Sequence, residues 1–407
     1  MAIANETLDT GDTAWVLTAT ALVLMMTVPG LALFYAGMVR RKNTLATMMH
    51  SVGAAAVVSV VWVVAGFSLA FSEGSMNAFV GGLDYLMLGN IGLDELSGTI
   101  PKLLTVIFQL TFAVITMAIL AGSVAERMKF GSFMVFAAVW ILLVYAPVCH
   151  WVWGGGWLTG DALDFAGGTV VHVNAGVGGL VLAILLGKRK DYGKSTLAPA
   201  NLSLTLIGVG LLWVGWFGFN GGSALAANGS AVMALITTQV AAGIGAITWL
   251  VAEYVKRGKA SAFGGASGAV AGLVGITPAA GFVDVSGALA IGVLTTLGCF
   301  VMIYYGKKKL GVDDALDAFG LHGVGGIMGA VLTGVFVSPV IYPDIESVSL
   351  AKQLWLQIEG VLATVAYCGV ITLIIGLVIK HTMGLRVGDE DEYQGLDLSV
   401  HGEKIAD

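Results

Sequence analysis

Long apolar runs constrain this chain more than any other feature. Eleven stretches of predominantly apolar residues fall at roughly 13–37, 44–71, 101–124, 131–152, 167–187, 199–220, 229–255, 262–281, 285–305, 319–340 and 353–380. A helix needs about 20 such residues to cross a hydrocarbon core about 30 Å thick. Soluble domains carry about a quarter charged residues; here 57% of the 407 residues are hydrophobic and 11% are charged. The expected fold is therefore an all-α polytopic membrane protein with eleven transmembrane helices. The 58 glycines fit that reading, because small residues let helices approach closely where lipid supplies no hydrophobic drive.

Charge placement predicts orientation. With residues 1–12 outside the cell, eighteen of the twenty Lys and Arg fall in the inner segments, from Arg40–Lys42 to Lys404, and only Lys102 and Lys352 lie elsewhere. That bias is the positive-inside rule. An even helix count would put the tail outside and break it. The expected location is the cell (inner or plasma) membrane, with a cytoplasmic tail over 384–407. Cys149, Cys299 and Cys368 are isolated in apolar runs, which predicts neither a metal site nor a disulfide framework. No cofactor is expected. The first twelve residues have no basic region followed by an apolar core, so no cleavable signal is expected. No extramembrane stretch is long enough for an attached enzyme, and no nucleophile–base set stands out.

The chain reads as two related halves. The fifth run carries Asp164–Gly176 (DFAGGTVVHVNAG), and the tenth carries Asp317 and His322 (DAFGLHGVGG). The first ends GLALFYAG at Gly37, and the sixth ends GWFGFNGG at Gly222. A five-helix unit has an odd number of crossings, so its second copy starts from the opposite side. That predicts inverted repeats over about 13–187 and 199–340, with the eleventh helix (353–380) outside them and a substrate site between them.

Ionisable groups at membrane depth are costly and usually line a pathway. Repeat symmetry would bring His172 and His322 together. Two adjacent imidazoles in an apolar pore cannot both be cationic, but they can share a hydrogen; the alternative is two separate packing residues. Asp164 precedes a helix start and is a favoured cap, and its charge would also attract a cation. Trp153, Phe108, Phe112, Phe219 and Ser223 cluster near the expected outer ends. An indole face attracts a cation, and a serine oxygen accepts a hydrogen bond from one. Taken singly, each aromatic is an ordinary packing residue.

Five motifs together carry a resemblance: DFAGGTVVHVNAG at 164–176, WFGFNGGS at 216–223, FGLHGVGG at 319–326, AER at 125–127 and GLRV at 384–387. With them the chain resembles the ammonium transporter (Amt/Mep/Rh) family, bacterial or archaeal Amt type, from about residue 12 to 403. The resemblance implies an eleven-helix protomer, a homotrimer with one pore per subunit, and ammonium or ammonia as the substrate. It implies ammonium recruitment by Trp153, Ser223 and Phe112 with Asp164, a gate of Phe112 over Phe219, and His172 and His322 as pore histidines. It also implies a PII signalling protein as a possible partner of the tail. Val387 is followed by Gly388 where proline is expected, which predicts a looser tail. Membrane lipid is the expected surrounding, and no nucleic acid is expected. The rival reading is an ammonium sensor signalling through the tail.

Overall fold

The computed structural model describes residues 7–194 and 197–405. Residues 1–6 of the expected outer N-terminus, and 406–407 of the tail, lie outside the described residues. Among the described residues, ten helices are long and apolar enough to cross a membrane: α1 Thr10–Met38, α2 Arg41–Phe71, α3 Lys102–Val124, α4 Phe130–Trp153, α5 Gly168–Leu186, α6 Leu202–Gly221, α7 Gly229–Arg257, α9 Val285–Leu310, α10 Phe319–Phe336 and α11 Leu350–Thr382. Between α7 and α9 lies α8, Ala262–Ile276. The protein is thus a multi-pass membrane protein. Two short helices, α12 Asp389–Gln394 and α13 Leu396–His401, form the tail.

The run at 262–281 differs from expectation. Its helix stops at Ile276 after 15 residues, about 22 Å at 1.5 Å per residue. Pro278 has no N–H to continue the ladder, and turns carry the chain through Phe282, with Ala279 N–H donating to Ile276 O and Phe282 N–H to Ala279 O. The Pro278 carbonyl instead accepts from Phe165 N–H at 3.0 Å. That bond ties the end of α8 to the loop that opens α5.

α3 is the central helix. Every residue from Phe108 to Val124 is buried, because α1, α2, α5 and the tip of α4 pack around it. Apolar side chains also cover the outside, among them Leu17, Val60, Ile184, Val251 and Leu373, as a lipid-facing surface requires.

α5 and α10 approach at glycines. A Cβ on Gly176 would lie 2.3 Å from Gly323 Cα, and one on Gly326 would lie 2.9 Å from His172 Cβ. Both helices begin with a wider π-helical turn, Gly168–Val173 and Phe319–Gly323; α6 ends with one, Phe217–Gly221. Such turns are common at functional sites, and these three carry His172, His322 and Phe219.

The loops after α1, α3 and α5, the segment before α10, and the tail all meet at one end of the molecule. There Glu126 binds Arg40 at 3.0 Å and Arg189 at 2.6 Å, and Arg189 also binds Asp313 at 2.8 Å. Burial pushes the Glu126 and Asp313 carboxyls up. Arg189, joined at Glu126 by Arg40, more than reverses this, so both sit below their ordinary values. The tail is bound into this face. The Arg386 guanidinium donates to the carbonyls of Leu186 and Lys188, each at 2.8 Å, and pairs with Glu392 at 2.6 Å. Leu396 N–H donates to Asn43 Oδ1 at 2.9 Å, and Ala46 N–H to Asp397 at 2.8 Å. Gly388 does not loosen it. Its backbone sits at φ −64°, ψ 159°, a conformation that proline also takes.

Candidate functional site

At the end opposite the tail, a cavity of about 390 Å³ is lined by Trp153, Ser223, Phe165, Val152, Gln109 and Thr105. Trp153 ends α4. Its indole N–H donates to the Asp164 carbonyl at 2.8 Å, which fixes the ring from the loop that opens α5. Ser223 Oγ–H donates to Phe219 O at 2.8 Å. The only hydroxyl proton is thereby committed, so toward the cavity this oxygen can act only as an acceptor.

The Asp164 side chain is buried and its oxygens are filled. Oδ1 accepts from the N–H groups of Gly167 at 2.8 Å and Gly168 at 2.6 Å. Oδ2 accepts from Thr169 N–H at 2.8 Å, Thr169 Oγ–H at 2.5 Å and Val170 N–H at 3.3 Å. A carboxylate offers about four lone-pair positions, and five donors occupy them. Asp164 is therefore a cap on α5, and its carboxylate has no lone pair left for a direct ligand. Its influence on the cavity runs through the indole its carbonyl holds and through its negative charge.

From the cavity, aromatic rings lead inward. Trp153 meets Phe112 edge-on at 6.0 Å between ring centroids, and Phe112 stacks on Phe219 at 4.2 Å and 14°. Both phenylalanines are fully buried. Phe108, one turn before Phe112, packs against it at 4.9 Å and 61°. Below Phe219 lies His172 at 6.0 Å, with Trp216 stacked beside it at 5.5 Å.

His172 and His322 come together across the α5–α10 contact, Nδ1 to Nδ1 at 3.2 Å, and both are buried. One shared hydrogen sets opposite tautomers. The ring carrying Nδ1–H has a bare Nε2, and its partner carries Nε2–H. The neutral pair thus offers one acceptor and one donor and no fixed charge. His172 Nε2 has no hydrogen-bond partner among the described residues.

The structure brings Trp153, Ser223, Asp164, Phe112, Phe219, His172 and His322 together, in two levels joined by the phenylalanine stack, and leaves Asp317 apart. At the opening of α10, Asp317 pairs with Lys307 at 2.7 Å. The cap is Asp314, which accepts from Ala318 N–H at 3.2 Å and Phe319 N–H at 2.8 Å. The signal was in the spacing, since Asp164 precedes His172 by as many residues as Asp314 precedes His322. Sequence reasoning also missed Gln109 and Thr105, two polar residues inside an apolar run.

The Ammonium Transporter Family model matches residues 14–405. The chain is 50% identical to an ammonium transporter of Aquifex aeolicus over 98% of this chain and 93% of that one. It is 48% identical to an ammonium transporter of Bacillus subtilis over 97% and 98%. Among solved structures it is similar to Saccharomyces cerevisiae Mep2, with a TM-score of 0.87 and 36% identity over 95% of this chain and 89% of that one. It is also similar to a structure described as a sensor Amt protein, with a TM-score of 0.90 and 29% identity over 96% and 98%. With the family match spanning nearly the whole chain, and relatives this similar over their full length, the protein is a member of the ammonium transporter family.

Proposed function

We propose that this protein takes up ammonium by capturing it in the outer cavity, removing its proton and conducting ammonia past the histidine pair. The observation that carries this reading is the unbroken column from Trp153 through Phe112 and Phe219 to His172 and His322. A bare ammonium ion in that column would meet a desolvation cost of several kcal/mol even after relaxation. Ammonia is neutral and meets far less. The Trp153 face and the Ser223 oxygen hold the cation, with Phe112 beneath them and the Asp164 charge adding to the field. The Phe112–Phe219 stack closes the entrance. Below it, the pair's one acceptor and one donor match a solute that both gives and takes hydrogen bonds.

The released proton returns outside or crosses by tautomer exchange, in which a proton reaching the bare Nε2 moves the shared hydrogen and frees the one on the partner ring. Solid-supported-membrane recordings on proteoliposomes separate the two routes. An ammonium-evoked current alongside uptake supports the crossing, and uptake without current sinks it.

The reading extends to the assembly. The protomer consists of inverted repeats over about 13–187 and 199–340, with the eleventh helix outside them and the pore between them. The matched capping, Asp164 for α5 and Asp314 for α10, supports this symmetry. The tail lies in the cytoplasm, the start of α1 lies at the outer face of the plasma membrane, and three protomers associate, each with its own pore. The ordered tail offers a docking face for a PII signalling protein. The second reading, a sensor, is favoured by the similarity to the sensor Amt structure. Methylammonium uptake by transporter-deficient cells decides between them, because a sensor gives signalling with no uptake.

A further inference from the structure

The first turn of α1 holds two walls of the outer cavity through one carboxylate. Asp12 Oδ1 accepts from Ala227 N–H at 2.7 Å, and its Oδ2 accepts from Thr99 Oγ–H at 2.5 Å. Thr99 is held a second time, because its carbonyl accepts from Asp9 N–H at 2.9 Å. Both partner segments line the cavity. Ser97 belongs to the short hairpin 96–101 that carries Thr99, and Ser223 and Leu225 belong to the loop 222–228 that carries Ala227. That loop is clamped on both sides of Ser223. Before it, the Trp15 indole N–H donates to Gly221 O at 3.1 Å, and α1 lies so close that a Cβ on Gly222 would sit 2.5 Å from Ala19 Cβ. After it comes the bond from Ala227 to Asp12. Between the two clamps Leu225 is held at φ 53°, a left-handed conformation that a residue other than glycine keeps only where its surroundings impose it.

We propose that Asp12 is a positioning residue for ammonium capture, acting through Ser223 by holding the far end of the 222–228 loop. This rests on the capture role given to the cavity above and adds the group that fixes its serine. The bond from Ser223 Oγ–H to Phe219 O sets the direction of the hydroxyl, and the bond from Ser223 N–H to Asn220 O at 3.2 Å ties the residue to the end of α6. Neither fixes the backbone that follows. With the Asp12 bond gone, the strain at Leu225 is free to relax, and the loop moves with it. A hydrogen bond weakens steeply as its distance and angle leave their narrow range, so a displaced Ser223 oxygen holds the cation less well. The Thr99 bond serves the same end, because it orients the carboxylate that Ala227 meets.

The test is concentration-dependent ammonium uptake by the full-length protein in proteoliposomes. Asp12→Ala raises the half-saturating concentration by about three- to tenfold, bounded by the loss of one hydrogen bond to a charged group, and leaves maximal uptake within about twofold. Asp12→Asn brings the value back to within about twofold of the parent, since its carboxamide oxygen still accepts from Ala227 and its amide donates to Thr99 Oγ; this separates position from charge. In a Ser223→Ala background, Asp12→Ala adds less than about twofold, because the group it positions is gone. Should Asp12→Ala not give a monodisperse protein, Thr99→Val, which removes only the bond to Oδ2, raises the value by about threefold and is likewise without effect in the Ser223→Ala background. An unchanged half-saturating concentration, a loss of maximal uptake alone, an equal shift in the Ser223→Ala background, or an Asp12→Asn variant as impaired as Asp12→Ala overturns the inference. If the parent takes up no ammonium, the transport reading fails by itself, and the same variants are titrated with ammonium chloride by calorimetry. Binding weakened in Asp12→Ala and retained in Asp12→Asn sustains the inference; any other pattern, or a parent that binds no ammonium, overturns it.

Discussion

The outer cavity and the tail-side face both bury polar groups, and they treat them in opposite ways. At the tail-side face the charges are matched. Glu126 lies between Arg40 and Arg189, Arg189 between Glu126 and Asp313, and Arg386 ends on two carbonyls and Glu392. Along the pore the polar atoms are neutral and several are left open: Gln109 Oε1, Thr105 Oγ1 and His172 Nε2. A buried charge without a partner is tolerated far less than a buried neutral group. The comparison separates two uses of polarity. Paired charges join segments of chain at the tail-side face, and the polar groups along the pore carry no charge that would need such a partner.

Breaking the paired side has the largest expected effect. Asp313→Ala leaves the Arg189 guanidinium buried with half its partners gone and destabilises the fold by about 3–5 kcal/mol. Thermal unfolding in detergent reads this as a lower midpoint, and an unchanged midpoint would mean the network does not hold the loops. Acid attacks the same network without mutation. The Glu126 and Asp313 carboxyls are held below their ordinary values, so their contribution is complete above the unfolded values of about 4 and is lost as pH falls through the lower folded values. Stability against pH is therefore expected to be flat in this contribution from neutrality down to about pH 5 and to drop below about pH 4. In Asp313→Ala the acid drop shrinks, and an acid limb identical to the parent's would assign it elsewhere.

On the open side, His172→Asp replaces a neutral donor–acceptor pair with a fixed negative charge. Potassium-evoked currents, absent in the parent, are expected to appear in proteoliposomes. Selectivity that stays intact would count against the pair as a filter. Ser223→Ala removes one acceptor from the cavity and is expected to raise half-saturating ammonium by about tenfold, with maximal uptake little changed, because the contact is made before the gate. The smallest effect is expected at Gly388. A proline there keeps the observed backbone and loses only the 3.2 Å bond from Gly388 N–H to Asp391. The change in thermal midpoint should correspond to under about 1 kcal/mol; a larger one would show that the tail depends on that single bond.

Much of this was legible in the chain because membranes impose simple rules. Hydrocarbon thickness sets the run length, unpaired backbone is forbidden there, and Lys and Arg mark one side. The helix positions followed from these, except at 262–281, where apolar composition continued past Ile276 and Pro278 ended the helix. The residues of the site were legible because His, Asp and Trp stand out against an apolar background. Gln109 and Thr105 did not stand out, because only burial and the lack of a partner distinguish them from residues that bond to their own helix.

By itself, then, the sequence determined that this is a polytopic helical membrane protein of the ammonium transporter family and which rare polar residues stand out in its apolar runs. Only the tertiary structure decided what each one touches. Glycines at the α5–α10 contact let two histidines separated by 150 positions meet at 3.2 Å. Asp164 spends both oxygens on the start of α5, and Asp314 does the same for α10. The physical reason is that hydropathy and charge are properties of a residue, whereas a lone pair is filled or open only by virtue of what the fold packs against it.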